Sequence, residues 1–161
     1  MALKTLHEQI AVEPARPRVV AECVTLIDEQ VRAKGGVRGM TVRAAYATIK
    51  TLKRGFVTGV VEALLDDWLA KLEPYYARWC AAPTGSFSEY LTARSDEVAE
   101  HLLEVTDKRA EVTKHTTAKK YYFKMRDKAK DNVVESVPEL ARLIERHLAA
   151  EPQPSASGAS A

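Results

Sequence analysis

The sequence predicts an all-α fold, a bundle of six or seven helices made of two pseudo-symmetric three-helix halves. Three observations predict it. Apolar residues recur at spacings of three and four along most of the chain, the period of a helix with one buried face. Alternating runs rich in Val, Ile, Thr and aromatics, with Asn-Gly or Asp-Gly turns between them, are absent. The second half of the chain also repeats the first. With residues 41–74 set over 117–150, a shift of 76, Thr41/Thr117, Tyr46/Tyr122, Val57/Val133, Val61/Val137, Leu64/Leu140 and Leu72/Leu148 coincide. These six identities compare with about two expected from average residue usage. Upstream, a shift of 78 pairs Arg16, Val20, Ala21 and Glu22 with Arg94, Val98, Ala99 and Glu100. The two residues lost between the shifts correspond to Gly35 and Gly36.

Each element has its own signals. Leu3, Leu6 and Ile10 make residues 3–11 a short amphipathic arm, punctuated by Pro14 and Pro17. A first helix begins near Pro17, a favoured residue at a first helical position. It carries Val20, Val24, Ile27 and Val31 until Gly35 and Gly36 stop it. Its counterpart is expected over 88–112, with Leu91, Val98, Leu102 and Val105 on one face. A second helix, 40–54, turns Val42, Ala45, Tyr46, Ile49, Leu52 and Phe56 inward, and its copy, 117–130, turns Ala118, Tyr121, Tyr122, Met125 and Ala129 the same way. Tyr46 and Tyr122 are expected to be buried, each hydroxyl meeting a partner. A third helix starts at Gly55 and runs through Val57, Val61, Leu64, Leu65, Trp68 and Leu72, with Pro74 expected to kink it or start a new segment. In the second copy Pro138 predicts a restart near Ser136 as N-cap, running to His147. Residues 81–86 read as a loop, with Ser86 or Ser88 capping the next helix. The expected organisation is one domain over 1–150, with halves at about 14–80 and 86–150, and a disordered Pro/Ser/Gly/Ala tail over 151–161.

The composition, 161 residues with 46% hydrophobic and 29% charged content, suits one globular core. No stretch reaches the roughly 18 to 20 apolar residues of a membrane span, and the N-terminus lacks the apolar core of a secretory signal, so the expected location is the cytoplasm. Cys23 and Cys80 lack the spacing and paired histidines of a zinc site and read as buried thiols.

The clearest chemical pattern is electrostatic. Arg43, Lys50 and Arg54 share one helix face, and Lys119, Arg126 and Lys130 repeat the spacing. Residues 35–61 hold five basic side chains and no acidic one, and 114–130 hold seven against Asp127, whereas 88–111 hold seven acidic against three basic. The net charge is only +2, so the polarity is local. This stripe is either a solvated face or a surface for an anionic partner, nucleic acid or an anionic lipid surface, with a protein partner also open. An aromatic stripe, Trp68, Tyr75, Tyr76 and Trp79, is the alternative, lining a cleft between the halves for an apolar small molecule. No catalytic residue, metal site or cofactor is expected. Glu97, Glu100, His101 and Glu104 cluster on one helix, but no Glu-x-x-His occurs, and the glycines of 35–39 read as a helix stop and tight connection, not a P-loop.

The segments KGGVRGMTVRAAYATIKTLKRGFV and TTAKKYYFKMRDKAKDNVV, the latter followed by VPELARLIE, resemble a family of small all-helical bacterial proteins, a domain of unknown function. The resemblance covers most of 14–148. It implies a compact helical bundle of bacterial, cytoplasmic origin, and brings no activity, cofactor or catalytic residue. The sequence thus reads as that of a protein acting by binding, with the basic stripe as its contact surface, and as the alternative a carrier or sensor of an apolar molecule.

Overall fold

Thr5 and Glu8 set the first helix by a reciprocal cap, the threonine hydroxyl accepting from the Glu8 amide at 3.1 Å and the Glu8 carboxylate from the Thr5 amide at 2.9 Å. The computed structural model describes residues 4–52 and 54–150, in which seven helices and no strand form. Leu3 and the tail over 151–161 lie outside the described residues. Helix α1 (Leu6–Ile10) buries Leu6 and Ile10. Pro17 sits in the first turn of α2 (Arg16–Ala33), which buries Val19, Val20 and Cys23.

Helix α3 (Gly36–Thr51) begins four residues before the expected Met40. Gly36, at φ +71°, makes the reversal out of α2, and a Cβ on Gly39 would collide with the Lys34 carbonyl. The glycines therefore let the helix start against the end of α2, where a loop was expected. Leu52, expected to face inward, caps the C-terminus and is exposed. Gly55, at φ +73°, leads into α4 (Phe56–Ala81).

That helix continues through Pro74, which was expected to kink it or begin a new segment. Pro74 is exposed, and the carbonyl it orphans belongs to Ala70, also exposed, so the lost bond falls on a face open to solvent. Ser86 and Glu89 form a second capping box that starts α5 (Phe87–Thr92). The helix expected over 88–112 is in fact two, because local side chains take over carbonyls: Arg94 donates to the Tyr90 carbonyl at 2.9 Å and Ser95 to that of Thr92 at 2.7 Å. Helix α6 (Ser95–Val112) comes next. The last helix, α7 (Thr116–Ala150), runs unbroken through Pro138, where a restart was expected. Ser136 is no N-cap; its hydroxyl lies 2.8 Å from the Asn132 carbonyl inside the helix and 3.0 Å from the Gln30 amide oxygen. The break between α3 and α4 at Gly55 thus has no counterpart at Asp131, the residue the shift of 76 sets over it, which is helical. The halves hold three helices each, α2–α4 and α5–α7, but divide them at different places.

Packing is uneven. One core cluster joins Leu6, Ile10, Val19, Val61, Leu65, Leu69, Leu72, Tyr75, Phe87, Leu91, Val98, Val137 and Ile144. It draws on α1, α5, the N-terminal parts of α2 and α6, α4 from Val61 onward and α7 from Val137 onward. Toward the other end burial falls away. The described side chains of α3 contribute nothing to the buried core, and α7 contributes nothing to it before Val137. No helix among the described residues is long and apolar enough to cross a membrane.

Candidate functional site: an apolar crevice between two hairpins

The loosely packed end consists of two antiparallel hairpins, α2 with α3 and α6 with the first turns of α7. Each is fastened in the same way. In the first, the Tyr46 hydroxyl donates to Asp28 at 2.7 Å and the Lys50 ammonium reaches the same oxygen at 3.2 Å. In the second, the Tyr122 hydroxyl donates to Asp107, and Arg126 grips both oxygens of that carboxylate at 2.8 and 3.1 Å. One turn earlier Arg43 donates to the Lys34 carbonyl and Lys119 to that of Glu111, each at the end of the preceding helix. The Tyr46 hydrogen bond, helped by Lys50, holds the Asp28 carboxyl below its ordinary range. Burial would raise that of Asp107, but the Arg126 and Tyr122 bonds outweigh it and the net shift is downward. Both phenols are pushed above their ordinary range, first by burial and then by the carboxylate each one faces. Tyr46 and Tyr122 are half-buried, at the hairpin seams and not in the core.

The basic stripe is therefore engaged. Lys130 lies 2.8 Å from Glu100, which also takes Arg126 at 3.1 Å. Arg43, Lys50, Lys119, Arg126 and Lys130 each hold a carboxylate or a helix-end carbonyl, while Arg54 is exposed beside the α3–α4 turn. The remaining carboxylates of the α6 cluster are also occupied, Glu97 by the Tyr75 hydroxyl at 3.3 Å and Glu104 by Lys71 at 3.1 Å. Among the described residues no group of three or more His, Cys, Asp or Glu is placed to hold a metal ion, and no buried side-chain nitrogen or oxygen lacks a partner.

The aromatic stripe divides. Tyr75 is buried in the core, with its phenol pushed up to about 12 by burial and the nearby Glu97. Tyr76 and Trp79 pack with Phe87 at the well-packed end, the rings 5.1 and 5.6 Å from it, and Tyr76 accepts from Gln9 at 3.0 Å. Trp68 alone of the four borders open space. Its indole nitrogen donates to the Leu102 carbonyl at 3.2 Å, and its ring lines two adjoining cavities.

The larger cavity is a crevice of about 600 Å3 between the hairpins, walled by Ile27 of α2, Tyr46 and Ile49 of α3, Phe56, Val60, Leu64 and Trp68 of α4, Leu103 and Ala110 of α6, and Ala118 and Val133 of α7. The second, about 320 Å3, continues into the core and shares Ile27, Trp68, Leu103, Thr106, Ala129 and Val133 with the first. Several of the lining residues are small: Gly59, Ala110, Ala118 and Ala129. A Cβ added at Gly59 would meet nothing within 4 Å. Polar groups gather at one corner, where α6 turns into α7. There Arg109, Thr113, His115 and Lys119 border the opening, and the His115 ring stands edge-on to Phe56 at 5.0 Å. No aspartate or glutamate lines the crevice.

Most of these wall residues were read from sequence as core, on the correct face of the correct helix. What the sequence did not reveal is that the facing surfaces fail to meet. Asp28 and Asp107 were also missed, since the shift of 78 sets Asp28 over Thr106. Comparison with known sequences places the chain in a family of unknown function, DUF6918, whose profile matches residues 6–148, so the chain belongs to that family. No curated protein and no solved structure matches it.

Proposed function

We propose that this DUF6918 member is a cytoplasmic, non-enzymatic binding protein that carries or senses an apolar small molecule in the crevice between its two hairpins. One observation carries the reading: about 600 Å3 of space lined mainly by apolar side chains and continuous with a further apolar cavity in the core. Protein interiors are normally packed with few voids larger than a water molecule. Ligand sites, by contrast, run to roughly 300–1,000 Å3 and are mainly apolar with a few placed polar groups. The matched hairpins support the same reading, since a repeated helical pair fastened internally makes a pre-shaped wall on either side of the gap. The basic stripe gives less support to an anionic polymer, because its charges are largely spent on carboxylates and carbonyls of the protein itself.

Native mass spectrometry of protein purified from its source, with thermal melting in a series of n-alkanols, tests this. One retained small molecule per chain, or a melting temperature that climbs with alkanol chain length, is the expected result. A folded protein that carries nothing and whose melting temperature is indifferent to every alkanol would refute it.

A further inference from the structure

Resting on that reading, we infer that the ligand is a single apolar chain ending in an anionic head group, a free acyl carboxylate, with the chain in the crevice and the carboxylate at the α6–α7 corner. The charge of the lining points there. Arg109, His115 and Lys119 line the crevice beside the α6–α7 connection, and among the described residues no carboxylate lines it. Lys50, Lys71, Arg126 and Lys130 each lie within 3.2 Å of an acidic oxygen and are already neutralised by the protein. Arg109, like several other cations of the protein, makes no ion pair among the described residues, and it lines the crevice. Lys119 gives a hydrogen bond only to the Glu111 carbonyl, at 3.1 Å, and keeps further N–H donors free to turn toward a ligand.

The geometry of the rest of the crevice restricts the other end of the molecule. Past Thr106 the shared walls are Ile27, Trp68, Leu103 and Val133, and among the described residues the inner cavity adds no charged side chain, while its Gln30 and Ser136 already bond to each other at 3.0 Å. A charged group buried there without a counter-ion is costly, and this disfavours nucleotides and dicarboxylates relative to a chain charged at one end only. Trp68 sits on the path of such a chain and is one of only two tryptophans in the protein, the other being Trp79 at the opposite end of the bundle.

The test uses the Trp79→Phe protein, which leaves Trp68 as its only indole reporter, titrated below the micellar range with dodecanoate, dodecyl phosphate and dodecanol. Dodecanoate is expected to bind at least about tenfold more tightly than dodecanol, the size of effect one charge-assisted hydrogen bond gives. Arg109→Gln with Lys119→Gln should bring dodecanoate down to the dodecanol affinity and leave dodecanol unchanged. Dodecyl phosphate binding more tightly than dodecanoate would overturn the carboxylate. Equal binding of dodecanoate and dodecanol, or a double variant with no effect, would overturn the anionic head group while leaving the crevice reading intact. If none of the three chains perturbs Trp68 in a protein that melts cooperatively, both the head group and the crevice reading fail. A Gly59→Leu variant serves as the control, since it adds bulk to the crevice without changing its charge and should weaken all three chains alike.

Discussion

Substituting Gly59 at the exposed edge of the crevice should make the protein more stable, and stability read together with ligand binding checks whether the adjoining space is open. Gly59 lies in the first turns of α4 in ordinary helical conformation, its amide donating to the Gly55 carbonyl at 2.9 Å. A Cβ there meets no atom within 4 Å. Alanine therefore adds no steric term. It removes backbone freedom from the unfolded chain, a gain of roughly 0.5–1 kcal/mol for glycine in a helix interior. For a chain of this length, each kcal/mol moves the melting temperature by about 2–4 °C. Gly59→Ala should thus melt about 1–4 °C higher, followed by circular dichroism at the helical band with a urea titration in parallel. Gly59→Leu should keep that gain or extend it by covering Phe56 and Val60, and at the same time weaken binding of apolar ligands. Stability and binding moving in opposite directions is the signature of a vacant functional space. If Gly59→Ala instead destabilises the protein, the Cβ has met a wall. The hairpins would then be closed on each other and the crevice argument would collapse.

Asp107→Asn should cost about 1–3 kcal/mol in urea unfolding, because it strips the charge that Arg126 and the Tyr122 hydroxyl share, whereas Asp127→Asn on the exposed face of α7 should stay within about 0.5 kcal/mol. Equal effects at the two positions would mean that the hairpin seam contributes nothing. Stability should also be bell-shaped in pH. Asp28, Asp66 and Asp107 have lowered values in the folded protein, so their contribution is present above the unfolded value of about 3.9 and is lost as pH falls through the folded values. Tyr46, Tyr75 and Tyr122 have raised values, so theirs is present below about 10 and is lost as pH rises beyond it. A melting temperature that stays flat from pH 7 down to pH 2 would contradict the acid arm.

Helical periodicity located the buried faces well, and the reason it missed the site is physical. The spacing of Val61, Leu65 and Leu72 in α4 says which side of the helix avoids water, and those residues are buried. Val57, Phe56 and Ile49 carry the same signal, yet they border the crevice, because periodicity reports direction and not the distance to the opposing helix. The hint that was present lies in the small residues: alanine at 110, 118 and 129, buried or half-buried where a filled core would use larger side chains, with Gly59 at the exposed edge of the same space. Helix ends were legible where a cap has a chemical signature, as at Ser86 and Glu89. They were misread where proline was taken as a stop, since Pro74 and Pro138 sit within continuous helices. The basic stripe was visible as a spacing, but its partners Asp28 and Asp107 lie on other helices, beyond the reach of any single-helix pattern.

The two ends of the molecule solve different problems. At one end α1, α5, Phe87, Tyr75 and the later turns of α7 fill space with large side chains, and that packing supplies the stability. At the other, each hairpin is held by a tyrosine, an aspartate and a cation at its own seam, and α2 is tied to α7 through Lys34 and Glu135. A bundle end that was merely ill-packed would relax by letting α3 fall onto α4 and α6. The Asp28–Tyr46–Lys50 contact opposes that movement by fixing α3 to α2, and Asp107–Tyr122–Arg126 fixes the facing wall. Rigid walls lower the ordering cost of binding, so polar bonds placed within the hairpins and an apolar gap left between them form a consistent design for holding a guest. The same division explains why the cations recur in both halves: what is repeated is the fastening of each wall, and the site is the space that the fastened walls enclose.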